Sequence, residues 1–383
     1  MDAWLSQAPR RGIAAGASLA LLVLAAASAA NARPVSAVSP ATIAVDTLAD
    51  GHLDSGATTC TSASASGKCT LRAALELNDA GAGGSTITLS SGQFQLTLGQ
   101  LLANKSVTVD GAGAAASVVL ASPGARVIQI RTGARPVTMT ALAIENGRAT
   151  GGDSEGGGIA NAGSLTLRDV TVQGNSGTFG GGIADVGSLT LQSGVVITKN
   201  HALGIDGSAL SGEGGGIAEF GTLTSSGAVL SGNEAGGFIG ALDNGFGGNL
   251  ALGEGVDASG DVVLRGRATV TDTTIAQGAA GFGGGVFVDI GESATFTAST
   301  FTGNTANSGG ADGGGLLNGC GAVTLTNDTF DGNRAPDGFG GAIDDTCESD
   351  LLTAAKTPAK MPAIPSAPHM IVPAASQAGP RAW

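Results

Sequence analysis

Four acidic side chains have the types and spacing that could do chemistry. Asp185 and Glu219 each lie two residues past an aliphatic marker in a recurring glycine phrase, and Asp345, beside Asp344, holds the same offset in the last copy. Paired carboxylates about 5–10 Å apart hydrolyse glycosidic bonds, one acting as acid and the other as base or nucleophile. Carboxylates can also hold Ca²⁺ while a basic residue abstracts a proton, the chemistry of a lyase. Yet Asn161, Leu252, Val288 and Asn318 fill the same offset elsewhere, so the column is not uniformly acidic. The cations Arg148, Arg168, Lys199, Arg265, Arg267 and Arg334 do not recur in register with the acids, and His52 and His201 fall in the N-terminal segment and a loop. Sugar sites usually carry stacking Trp or Tyr, but this chain has no Tyr, and its two Trp, Trp4 and Trp383, sit at the extreme ends. The expectation is therefore solvated surface acid, no catalytic residue and no cofactor. Ca²⁺ enters only with the enzyme reading.

The elements that position these residues come from the phrase itself. Gly-Gly-Gly-Ile-Ala stands at Gly156, Gly180 and Gly214, with looser copies at Gly247, Gly283, Gly313 and Gly340. Its markers Ile159, Ile183, Ile217, Leu250, Val286, Leu316 and Ile343 are 24, 34, 33, 36, 30 and 27 residues apart. Each of five units ends on an Asn (Asn175, Asn200, Asn233, Asn304, Asn333) lying 16 to 18 residues after its marker. Alternating stretches such as Ser164–Leu167 fill the span, and period-two runs of Thr, Val and Leu are strand signals. A fixed unit plus a variable loop predicts a wound coil: an all-β, right-handed, single-stranded parallel β-helix with three short strands per turn. Asn tolerates left-handed backbone, and its amide can pair with the Asn above and below, so the column reads as an internal ladder.

Composition agrees. The 383 residues include 66 Gly and only 3% aromatics, which suits a narrow coil interior. Residues 1–32 read as a signal peptide, with Arg10 and Arg11 before an Ala/Leu-rich run and small residues at Ala29 and Ala32, followed by a linker over 33–42. The Pro/Ala-rich residues 351–383 read as a disordered tail. The chain is thus expected to be exported, extracellular or at the cell surface, without stable membrane insertion. A net charge of −13 argues against nucleic acid as a partner.

Exported chains meet oxidising conditions, so four Cys suggest two disulfides. Cys320 and Cys347 each lie four residues past a marker and so hold one position in adjacent coils, where Cα atoms stand about 5 Å apart. Cys60 then pairs with Cys69. The spacing is wrong for zinc, and no His lies close to either pair.

Residues 43–113 differ from the rest. Thr70 to Ala80 is the one credible helix, with Leu71, Ala74, Leu75 and Asn78 on one face and Gly81 ending it. It is expected to cap the first coil ahead of the repeats over 114–350. Cys69-Thr-Leu-Arg-Ala-Ala74, Val45-Asp-Thr47, Thr86-Ile-Thr-Leu89 and Val109-Asp-Gly-Ala-Gly113 together resemble the CSLREA domain of bacterial secreted proteins, with Ala73 replacing that family's Glu. Phe301-Thr-Gly-Asn-Thr-Ala306 and Phe330-Asp-Gly-Asn-Arg-Ala335 resemble the repeats of polymorphic outer-membrane proteins. The resemblance implies an exported pectate-lyase-like β-helix, adhesin-like in character, and carries over no catalytic residue.

One further column, four residues before each marker, reads Glu155, Phe179, Glu213, Phe246, Phe282, Asp312 and Phe339. It is expected to be a corner where rings stack between coils, or else a ridge of rings offered to a partner beside the long loops His201–Glu213 and Glu234–Phe246. The function expected is a monomeric structural or adhesive surface for a glycan or cell-surface protein. A carbohydrate-active enzyme working on an acidic polysaccharide is the alternative.

Overall fold

The computed structural model describes residues 41–149, 155–204, 212–236, 245–256, 262–307, 312–347, 352–355 and 359–360. The expected signal peptide, most of the linker, most of the tail and the greater part of both long loops lie outside them.

The solenoid expected from the repeat is what the chain forms. Each coil runs through a three-residue strand such as Ile183–Asp185, a four- or five-residue strand such as Ser188–Leu191, and a third such as Val196–Thr198. Stacked coil on coil, these make parallel sheets of nine, eleven and ten strands among the described residues, with a fourth sheet of five short strands after the Asn column. The markers pair in register, Ile159 with Ile183, Ile183 with Ile217, and Ile217 with Leu250. Strand alternation sends them inward, where they join Leu165, Leu189, Val172, Ile197 and their counterparts in one continuous core. In the last coils larger rings fill this space, and Phe301 stacks on Phe330 with centroids 4.2 Å apart.

The Asn column is an internal ladder. Asn175 Nδ2 donates to Asn200 Oδ1, Asn200 Nδ2 to Asn233 Oδ1, and Asn304 Nδ2 to Asn333 Oδ1, at 2.8 to 3.0 Å. Each amide also donates to a main-chain carbonyl one coil back, as Asn200 does to Val172. Room for the amide comes from the third glycine of the phrase: a Cβ on Gly182 would stand 3.0 Å from Asn200 Cγ. In one coil the ladder position is Gly278, and there Asn249, replacing that third glycine, enters from the opposite side. Asn233 Nδ2 donates to Asn249 Oδ1, and Asn249 Nδ2 to Asn304 Oδ1, so the ladder continues without a break.

The helix Leu71–Ala80 (α1) caps the first coil. Thr70 accepts from Ala73 N at its N-terminus, and Leu71, Ala74, Leu75, Leu77 and Asn78 are buried. Arg72, almost fully buried, grips Asp50 through Nε and Nη2 at 2.8 and 2.9 Å and donates to the carbonyls of Gln100 and Gly99. Asp50 also accepts from Thr97 N and Leu98 N. Burial would raise its pKa, but these hydrogen bonds, with the nearby guanidinium, hold it below the usual carboxylate range. Ala73 is fully buried against the coil.

Both disulfides pair as expected, Cys320 with Cys347 in the repeat register and Cys60 with Cys69 as the remaining pair, at Cα separations of 5.2 and 5.0 Å. One boundary is corrected. The chain from 351 is not wholly linker, because Leu352–Ala355 and Ala359–Lys360 pair in parallel with the strands Ala322–Thr326 and Thr329–Asp331. The last coil presents unpaired main-chain groups at its edge, and the winding continues far enough to meet them.

Candidate functional site

Of the acids two residues past the marker, Asp185 and Glu219 are not on the surface, and Asp345 is partly covered. Asp185 and Glu219 have no exposure, and Asp344 keeps 5%. Asn161, Asp185, Glu219, Asn318 and Asp345 instead do one structural job: their side-chain oxygens accept main-chain N–H groups at the corner just ahead, at Gly163, Gly187, Gly221, Gly321 and Cys347. The expectation of solvated carboxylate is corrected. In a strand as short as Ile217–Glu219, two steps from an inward residue is inward again.

Asp185 and Glu219 are register partners one coil apart. Asp185 Oδ1 accepts from Asn161 Nδ2 at 2.5 Å and Glu219 Oε1 from Gly221 N at 2.8 Å, while Asp185 Oδ2 and Glu219 Oε2 have no donor. A single proton shared between them satisfies both. Burial pushes the Asp185 carboxyl up to about 6. Burial and then the charge of Asp185 hold Glu219 well above the ordinary carboxyl range. Sealed from solvent, the pair cannot meet a polymeric substrate. Asp345 is half-buried, also accepts from Asn318 Nδ2 at 3.1 Å, and is raised by burial. Its neighbour Asp344 points the other way, onto the outer face of the nine-stranded sheet. The four acids therefore do not converge.

That outer face carries the exposed rings. Its outward column is Ala160, Ala184, Ala218, Ala251, Phe287, Leu317 and Asp344, and Ala184, Ala218 and Ala251 are buried although they point away from the core. They are covered by the column four residues before the marker, whose members pair in parallel from Glu155 through Phe179, Glu213 and Phe246 to Phe282. Phe246 stacks on Phe282 at 5.4 Å and meets Phe287 at 4.8 Å, and Phe179 meets Phe220 edge-on at 6.0 Å. Rings do stack between coils, as expected. Phe246, Phe282 and Phe287 are also half-exposed, and Phe339 is 41% exposed, so the stack is a surface ridge as well.

Glu213 interrupts the rings between Phe179 and Phe246. Its Oε2 lies 3.6 Å from where a Cβ on Gly253 would stand, beside the ring of Phe220. Burial, and then the charge of Asp289, push its carboxyl up to about 8. Asp289 is itself raised, by burial first and the charge of Glu254 as well. Two carboxyls thus interact electrostatically near the ridge, both shifted toward the neutral form.

An insertion borders the ridge. Between Leu252 and Arg267 the chain leaves the solenoid in an antiparallel hairpin, Glu254–Val256 against Val262–Arg265. Sister coils turn the same corner with two residues, Val186–Gly187 and Phe220–Gly221. Arg265 Nη1 ties the hairpin base to the next coil, donating to Ile290 O at 3.3 Å and lying 3.8 Å from Glu292 and 4.0 Å from Glu254. Glu292 is 1% exposed with neither carboxyl oxygen hydrogen-bonded, and burial, then Asp289, raise it to about 7 against the pull of Arg265. Sequence reasoning missed this cluster. The signal was the 36-residue step from Leu250 to Val286, the longest of the series. Among the described residues no three His, Cys, Asp or Glu side chains converge as a bound metal would need, and no helix is long and apolar enough to cross a membrane.

No family model matches the chain, so the CSLREA and repeat-protein resemblances rest on the residues quoted for them. No curated protein matches it either. Among solved structures, the chain is similar to the pectate lyase Pel9A at 13% identity, covering 84% of this chain and 80% of that one, with a TM-score of 0.44. It is also similar to the A-module of the mannuronan C-5 epimerase AlgE6 of Azotobacter vinelandii at 16% identity, covering 76% of this chain and 95% of that one, with a TM-score of 0.28.

Proposed function

We propose that the chain is an exported β-helical binding protein that recognises glycans through the aromatic ridge on its nine-stranded sheet. The observation that carries this reading is the stack of Phe246, Phe282 and Phe287, half-exposed on the outside of the solenoid, where core packing does not require rings. Ring faces offer flat apolar area to the C–H faces of sugars at low entropic cost. The solenoid holds successive rings at fixed coil spacing, so an extended chain meets several at once. Two disulfides suit the oxidising compartment that this function needs. The test is a glycan-array and host-cell binding comparison of the exported protein with a Phe246→Ala, Phe282→Ala double variant. Binding should be lost from the variant and kept by a control, Leu98→Ala, at an exposed apolar side chain of the N-terminal segment away from the ridge. Equal binding by all three would sink the proposal.

One observation favours the second reading, an enzyme acting on a glycan at the same ridge. Glu213, kept protonated near neutrality beside Asp289, has the character of a general acid next to a second carboxyl. Reducing-end release from any bound glycan, abolished by Glu213→Gln with binding retained, would establish the enzyme. Binding without turnover leaves the adhesive reading in place.

A further inference from the structure

Beside Leu264 and Arg265, at the base of the hairpin strand Val262–Arg265, lies a groove of about 410 Å³, and we infer that it is a subsite for an anionic sugar substituent, a carboxylate or sulfate ester on a pyranose ring. The inference deepens the glycan reading above and rests on it for the sugar. The anion preference comes from the groove itself.

Val186, Phe220 and Leu264 form an apolar wall, while Thr222, Arg265 and Arg267 supply the polar side. Thr222 and Arg267 are register partners at the start of adjacent strands of the eleven-stranded sheet, both pointing out. The Arg267 side chain has no hydrogen-bond or ion-pair partner among the described residues. Among the described residues the Arg265 side chain commits Nη1 alone, to Ile290 O, Glu292 and Glu254, and Nε and Nη2 have no partner there. Two guanidiniums with open donors over an apolar wall suit a planar or tetrahedral oxyanion attached to a ring with one C–H face. The volume falls within the range of about 300–1,000 Å³ typical of small-ligand sites. In a chain of net charge −13, two cations sharing one groove are out of keeping with the surface around them. Burial raises Asp289 and Glu292 toward the neutral form, which lowers the repulsion an incoming anion meets from them. Phe220 also packs on Phe179, so one ring divides groove from ridge, and a glycan lying on the ridge can turn a charged residue into the groove.

The test is calorimetric titration of the exported protein with tetrasaccharides of unsulfated chondroitin, chondroitin sulfate and chitin. Both chondroitins should bind and weaken as salt is raised, and chitotetraose should bind less tightly. Binding of the sulfated form alone would identify sulfate as the group recognised, and equal binding would identify the carboxylate that both carry. Arg267→Ala should weaken the anionic ligands about tenfold or more while leaving chitotetraose unchanged, and Arg267→Lys should restore part of the loss. Thr222→Trp, which fills the groove from an exposed position, should abolish the anion preference. Wild-type affinity for the chondroitins in Arg267→Ala and Thr222→Trp would overturn the inference, as would no anionic binding at millimolar ligand or an equal preference for chitotetraose. The Phe246→Ala, Phe282→Ala variant separates the two readings. Loss of binding there with no effect of the groove variants defeats the groove alone, and the reverse pattern defeats the ridge.

Discussion

Asp185 and Glu219 bind a proton between them that the unfolded chain would release, so folding is linked to pH through the interior rather than the surface. A carboxyl raised on folding contributes stability that is complete below its unfolded pKa, about 3.9 for Asp and 4.3 for Glu, and is lost as pH rises through the folded value. Glu219 lies well above that range, Asp185 is near 6, Glu292 near 7 and Glu213 near 8, all with the same sign. Asp50, lowered beside Arg72, has the opposite sign, and its contribution is lost only as pH falls through its folded value. The thermal midpoint should therefore fall as pH is raised from about 5 to about 8. Glu219→Gln, whose amide donates to Asp185 without a titrating proton, should flatten that decline; a midpoint that climbs across the range in wild type would contradict the shared proton. The Asn ladder has a matching test. Removing a buried amide strands its neighbours, so Asn304→Ala and Asn249→Ala should each cost about 1–3 kcal/mol in denaturant unfolding. A loss no greater than that of a surface control would show the amide is dispensable. Asn304 was legible because its spacing from Val286 repeats that of its fellows. Asn249 was not, because it belongs to the glycine phrase, and only the folded coil brings it opposite Gly278.

At the scale of elements, α1 is held by one cation. Arg72→Ala leaves Asp50 buried without its partner and frees the carbonyls of Gly99 and Gln100, so a loss of about 3–5 kcal/mol is expected, read as a lower denaturant midpoint. A loss under about 1 kcal/mol would mean that the helix docks through Leu71 and Leu75 alone. At the other end Cys320 and Cys347 close a loop across 27 residues, worth about 3–4 kcal/mol in the chain-entropy account. Cys347→Ser with Cys320→Ser should lower the midpoint accordingly and leave the N-terminal coils intact by hydrogen exchange. Helix, strands and disulfide register were all readable, since each rests on spacing along the chain. The fate of the acids was misread because composition was weighed above period: two steps along a strand from Ile183 or Ile217 cannot reach the outside. The hairpin left only an overlong step, with nothing in Glu254 or Arg265 themselves to say that the chain turns back there.

The whole molecule is a stack in which each coil touches only its neighbours, so damage should stay local except at the sealed end. Deleting residues 41–84, the first strand and α1, uncovers Ile87, Leu101 and Ala103 and the edge of the eleven-stranded sheet at Ser85–Thr88. Such a protein should associate edge to edge and elute as large species on size exclusion, whereas the intact chain should not. Monodisperse behaviour of the deleted form would show that α1 is not needed as a seal. The hairpin carries a consequence of another kind. One coil spends residues 253–266 on a corner that the coil before turns in two residues and the coil after in four, yet Leu223 still pairs with Ala268 and Leu250 with Val286 across the join. That corner is a socket in which sequence length is decoupled from the winding. A foreign peptide of comparable length spliced in place of residues 254–265 should be displayed at a defined height on a rod whose pitch does not change, making this coil the natural place to mount an epitope or a reporter.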